Sequence, residues 1–187
     1  MQTIQSLGAA AIMLALANCA PASEQAPEAG NPSKPEATTL GEATLVNADG
    51  TEVGTAVLSQ NNDEVSVALV VDGVEPGEHA FHLHTTGACE APDFTSAGGH
   101  LNPFDKSHGS MSENGKHLGD LPNITVTEGE PLTQTFALEG DAEVVKAAIF
   151  DEDGTAVMIH AGPDDYVSDP AGAAGPRVAC GVVNPSS

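Results

Sequence analysis

The chain has 187 residues, a formal net charge of -22, five basic side chains and no tryptophan. Such a length holds one ordinary domain with room for a leader and a linker. Its cations, Lys34, Lys106, Lys116, Lys146 and Arg177, are scattered; this excludes a nucleic-acid interface, which needs clustered Lys and Arg, and argues against charge-driven docking on anionic lipid.

In chain order, the first feature is the mostly apolar stretch Ile4 to Ala17, too short to span a bilayer comfortably. It reads as the apolar region of a secretory signal over residues 1–18, although no Lys or Arg precedes residue 34. Two endings compete. Ala15-Leu16-Ala17 suits ordinary cleavage, whereas Leu16-Ala17-Asn18-Cys19 resembles a bacterial lipoprotein signal that would make Cys19 the lipidated N-terminus. With three cysteines in an exported chain, one is left over after a single bridge, and Cys19 is the odd one. Residues 19–39, with Pro21, Pro27, Pro32 and Pro35 among Ala, Glu and Ser, bury nothing and read as an extended linker. The folded domain is expected over residues 40–187.

The body reads as β. Alternating or β-branched runs fall at 43–46, 52–58, 65–71, 80–84, 124–126, 134–138, 147–150 and 155–160, with turns such as Asn47-Ala48-Asp49-Gly50 and Asp151-Glu152-Asp153-Gly154 between them. About eight short strands with close turns predict an all-β sandwich or barrel. No run of helical length has convincing periodicity and caps. The irregular stretch from Thr85 to Asn123 is too long for a free loop and needs something to hold it.

Histidine spacing supplies the holder. In a strand, His82 and His84 share a face. His100, His108, His117 and Asp120 would form a closed His₃Asp tetrahedral site, suited to structural zinc. His82, His84 and His160, with His100 shared, would offer four nitrogens to a second ion, and tetragonal all-nitrogen ligation favours copper. His79 falls outside this pattern and reads as a bystander. Cys89 and Cys180 should bond in an oxidising compartment, tying the ligand loop to the last strand.

Four segments carry a resemblance to the copper/zinc superoxide dismutase family, in its exported bacterial branch. They are Gly77-Glu78-His79-Ala80-Phe81-His82-Leu83-His84, Ser96-Ala97-Gly98-Gly99-His100-Leu101-Asn102-Pro103, His117-Leu118-Gly119-Asp120-Leu121-Pro122-Asn123 and Gly175-Pro176-Arg177-Val178-Ala179-Cys180-Gly181-Val182. The resemblance covers roughly residues 40 to 184. It implies an eight-stranded Greek-key β-barrel or sandwich with long metal-binding loops. It implies an enzyme that dismutates superoxide to oxygen and hydrogen peroxide, with one copper and one zinc per subunit. Copper is expected on His82, His84, His100 and His160, and zinc on His100, His108, His117 and Asp120. The resemblance also implies a Cys89–Cys180 disulfide. His100 and Arg177 are the expected catalytic residues, Arg177 as the dock for the superoxide anion. Asp164 is expected to link a copper histidine to a zinc histidine. A noncatalytic copper-binding module on the same fold is the alternative; it would be expected to lack the arginine or a copper ligand, and this chain keeps them. The protein is expected in the periplasm or cell envelope, as a monomer or homodimer, with a membrane tether if Cys19 is lipidated. Two departures stand out. Ala88 replaces the small polar or glycine residue usual at that place. The loop between His160 and Arg177 also holds Asp164, Asp165 and Asp169 but no Lys or Arg, so weak electrostatic steering of the anion is expected.

Overall fold

A computed structural model describes residues 37–187. The leader, Cys19 and the linker up to residue 36 lie outside the described residues. Ten antiparallel strands run in the order β1 (Thr38–Asn47), β2 (Glu52–Asn61), β3 (Glu64–Val71), β4 (Gly77–His79), β5 (Phe81–His84), β6 (Ile124–Val126), β7 (Leu132–Leu138), β8 (Ala156–His160), β9 (Arg177–Val182) and β10 (Asn184–Pro185). Thr38 and Thr39, expected in the linker, already belong to β1.

The main sheet runs β5-β8-β9-β1-β2-β3-β7, with β10 also on β1. β1 to β3 form a meander because each alternates. In β3, Val65, Val67, Leu69 and Val71 are buried while Glu64 and Val70 face out. β5 and β7 stand at opposite ends of the sheet order, yet the rings of Phe81 and Phe136 lie 5.0 Å apart. The sheet therefore curls back on itself around one core, and this aromatic pair adds roughly 0.5–1.5 kcal/mol beyond its buried area.

The run expected over 80–84 forms β5 from Phe81 on, and Ala80 separates it from β4. β4 pairs with β6, whereas β5 pairs with β8. Ala80 meanwhile exchanges backbone bonds with the other side, its N–H donating to Gly162 O and its carbonyl accepting from His160 N–H. One chain segment thus passes from ribbon to main sheet just before the histidine pair.

The run expected as a strand over 147–150 is instead the end of α1 (Ala142–Ile149). The Asp141 carboxylate accepts from the N–H groups of Glu143 and Val144, an N-cap worth about 1 kcal/mol. Ala142, Val145 and Ile149 then fall on one buried stripe. The apolar run Ala147-Ala148-Ile149-Phe150 suggested a strand, but the cap and the stripe decide the segment.

Candidate metal centre

β5 and β8 are buried on both faces. Phe81, Leu83, Val157 and Ile159 point into the main core, and Ala156 and Met158 into a second cluster with Phe94, Ala97 and Cys180. By the period of two, His82, His84 and His160 share that second face. What covers it is the loop from Thr85 to Asn123, which lies against β5 like an added edge. Leu101 N–H donates to Leu83 O, Leu83 N–H to Gly119 O, and Gly119 N–H to Leu101 O. These bonds place His100 opposite His84 and Asp120 opposite His82. Gly119 is required there, because a Cβ would collide with the Leu83 carbonyl.

Two four-residue groups result, His82, His84, His100 and His160, and His100, His108, His117 and Asp120, with ligand atoms inside each group within 4.8 Å of one another. All seven residues are buried, and His100 belongs to both groups. The ring nitrogens themselves discriminate between hydrogen bonding and metal binding. His82 Nδ1, His84 Nε2, His100 Nε2 and His160 Nε2 are buried without any hydrogen-bond partner, an arrangement too costly to keep unless a cation uses it. In the second group, the Nδ1 atoms of His100, His108 and His117 lie 2.7, 3.1 and 3.1 Å from the single oxygen Asp120 Oδ1. His108 Nδ1 lies there without hydrogen-bond geometry. Three rings converging on one carboxylate oxygen fit a shared cation. The first donor set suits copper and the second zinc.

Protonation of His84, His100 and His160 agrees with that use. Burial, helped by the neighbouring His100 ring, pushes His84 down to about 2. Burial likewise lowers His160 to about 3, and His100 to about 4 in spite of Asp120. All three are therefore neutral at ordinary pH, the form in which imidazole binds metal. Burial opposes charge on His108 too, but the Asp120 and Asp164 carboxylates outweigh it and lift that ring to about 9. Burial favours the neutral form of Asp120 and Asp164. Hydrogen bonds from the histidine rings, then from the Gly109 and Tyr166 N–H groups respectively, nevertheless hold both well below the usual carboxylate range.

Asp164 lies between the groups. Its Oδ2 is 2.8 Å from His82 Nε2 and its Oδ1 3.0 Å from His108 Nε2. Gly172 packs directly on this contact, where a Cβ would collide with the carboxylate.

Arg177, the first residue of β9, pairs with His160 across the sheet. Its Nη1 donates to Phe94 O at 2.5 Å and its Nη2 to Gly98 O at 2.6 Å. Gly98 O also lies 3.0 Å from His84 Nδ1, so one carbonyl connects the guanidinium to a first-group histidine. Cys89 and Cys180 form a disulfide with Cα atoms 5.7 Å apart. It joins the loop that supplies both carbonyls to the strand that supplies the arginine.

His79 is not a bystander. It is buried, with Nδ1 2.8 Å from His160 O and Nε2 2.9 Å from Glu75 O, so it wedges the backbone of a first-group histidine. Sequence reasoning also missed Asn123, whose side chain grips the Asp164 backbone at both N–H and C=O. It missed Asp169 as well, which accepts from His108 N–H at 2.7 Å.

A curled antiparallel barrel with two buried ligand groups joined by one imidazole defines a two-metal redox scaffold. A family model described as copper/zinc superoxide dismutase matches residues 52–183. The chain belongs to the copper/zinc superoxide dismutase family. It is 46% identical over 145 residues to copper/zinc superoxide dismutase 1 of Aquifex aeolicus, covering 75% of this chain and 85% of that one. Among solved structures, a superoxide dismutase-like protein from Bacillus subtilis superposes with a TM-score of 0.69 at 33% identity, covering 78% of this chain and 99% of that one. The copper/zinc superoxide dismutase from Brucella abortus gives a TM-score of 0.59 at 29% identity, covering 80% and 100%.

Proposed function

We propose that this protein dismutates superoxide at a copper ion held by His82, His84, His100 and His160, beside a zinc ion held by His100, His108, His117 and Asp120. It is an oxidoreductase with copper and zinc as cofactors; superoxide is the substrate, and oxygen and hydrogen peroxide are the products. Copper, alternately reduced and reoxidised, supplies the one-electron exchange that none of these side chains can perform. The shared ring of His100 carries the assignment: its two nitrogens face the two groups.

The chain's own residues do the rest. Asp120 and Asp164 orient the rings. His100 Nε2, buried and unpartnered, can take up and return a proton between the two half-reactions. Arg177 keeps its charge at any working pH and has five N–H donors, more than its two carbonyl partners use. The surplus is left for an incoming anion. A noncatalytic copper-binding module would have no use for a guanidinium held in this way.

Substituting His82→Ala is expected to remove copper and its visible absorption band while zinc stays. Superoxide decay should slow by more than the roughly 10–100-fold typical of losing an outer partner. Metal analysis beside stopped-flow decay checks this. A variant that keeps both copper and the native rate would sink the copper assignment.

The disulfide suits an oxidising compartment. We read the chain as exported to the periplasm or cell envelope, with Cys19 lipidated and residues 20–37 as the tether. Mass spectrometry of the mature N-terminus should find a diacylated Cys19; an N-terminus starting at Asn18, or beyond Cys19, would refute lipidation.

A further inference from the structure

We propose that Tyr166 is a positioning residue that locks the Asp164 loop onto both ends of the zinc-ligand segment and so sets how long zinc stays bound. This rests on the zinc assignment above. Tyr166 has φ 63, a left-handed conformation rare for a bulky aromatic. Such a conformation persists only where the surroundings over-determine it, and it then points to a role.

The surroundings do over-determine it. Each polar group of Tyr166 holds a different segment. Its N–H donates to Asp164 Oδ1 at 2.6 Å, its carbonyl accepts from Met111 N–H at 3.1 Å, and its hydroxyl oxygen accepts from Asn123 N–H at 2.9 Å. Met111 follows His108 by three residues, and Asn123 follows Asp120 by three. The segment carrying His108, His117 and Asp120 is thus gripped near its start, at Met111, and just beyond its end, at Asn123. Asn123 closes the circuit: its Oδ1 accepts from Asp164 N–H at 2.9 Å and its Nδ2 donates to Asp164 O at 3.0 Å. Contact is tight, since a Cβ on Gly109 would collide with the Tyr166 carbonyl. The tyrosine also walls a surface cleft of about 130 Å³ that Lys116 and Asp120 line.

The phenol hydroxyl can be removed alone. In the metal-loaded protein, Tyr166→Phe should release zinc to a chromogenic chelator about tenfold faster, because Asn123 N–H loses its half-buried acceptor. The unfolding midpoint of the same variant stripped of metal should match that of stripped wild type. The chain holds one tyrosine and no tryptophan, so ultraviolet emission reports this ring. In wild type, emission should change with the same time course as zinc release. Release from Tyr166→Phe indistinguishable from wild type would overturn the proposal. So would an emission that stays constant while zinc leaves, or a stripped midpoint that falls as far as the loaded one, the mark of simple packing. His117→Ala serves as the separate control: if it held zinc as firmly as wild type, the ligand assignment itself would fall, whatever Tyr166→Phe did.

Discussion

Asp164→Asn is expected to loosen zinc by roughly 10–100-fold and to slow superoxide decay with it, although the substitution is nearly isosteric. An ionised carboxylate only accepts hydrogen bonds. Asp164 therefore takes Nε2–H from both His82 and His108. That choice of tautomer leaves His82 Nδ1 free for the first group and His108 Nδ1 free for the second, and both are without a hydrogen-bond partner. An amide offers one acceptor and one donor. Whichever ring meets the amide N–H₂ must move its own proton to Nδ1, where a metal needs a lone pair, or turn away. Turning is blocked, because Gly172 already sits against the carboxylate with no room for even a Cβ. The Tyr166 N–H, 2.6 Å from Oδ1, resists rotation from the other side. Zinc transfer to a chelator and copper and zinc content after dialysis measure the effect. If the asparagine variant retained zinc like wild type, the two-ring link would be incidental to metal binding.

The histidine groups were legible because their logic is local. A period of two puts His82 and His84 on one face, and the His100 to Asp120 spacing fits one folded-back loop. Strand cores were legible for the same reason: Ile124–Val126 matches its expected bounds, and Val65–Val71 falls short of β3 by one residue. Two kinds of feature escaped. The first is competition between local signals, as in α1, where the Asp141 cap and an apolar stripe outweigh the short apolar run 147–150. The second is contact between remote loops. His79 reaches His160 O, Asn123 reaches Asp164, and Asp169 reaches His108 N–H, each across dozens of residues. Nothing in the spacing of those residues announces a partner. His79 looked misplaced because, three residues before His82, it would face the other way along one strand; the change of partner at Ala80 removes that assumption. The acids of the 161–176 loop illustrate the same limit. In sequence they suggest a repulsive surface, whereas Asp164 and Asp169 are hydrogen-bonded into the ligand loop and Asp165 accepts from the Val167 and Ser168 N–H groups.

Those acids also shape what Arg177 can do. Arg177→Ala should slow superoxide decay roughly 10–100-fold, the worth of hydrogen bonds to a charged group. Copper content and the visible band should stay unchanged, because the guanidinium bonds to carbonyls and to no histidine ring. Arg177→Lys should recover only part of the rate. An ammonium carries the charge but lacks the rigid planar fork that spans Phe94 O and Gly98 O while leaving donors for an anion. The disulfide matters here, since Cys89 anchors the loop that supplies both carbonyls and Cys180 anchors β9. Long-range attraction, by contrast, has little to work with. The formal net charge is -22, and no Lys or Arg lies between His160 and Arg177 to draw in an anion. Added salt should therefore leave the wild-type rate nearly level or raise it slightly by screening repulsion. Stopped-flow decay across an ionic-strength series, on wild type and both variants, separates docking from steering. A wild-type rate that fell steeply with salt would mean that a cationic path reaches the copper ligands after all, and an Arg177→Ala enzyme as fast as wild type would leave the lone guanidinium without a catalytic role.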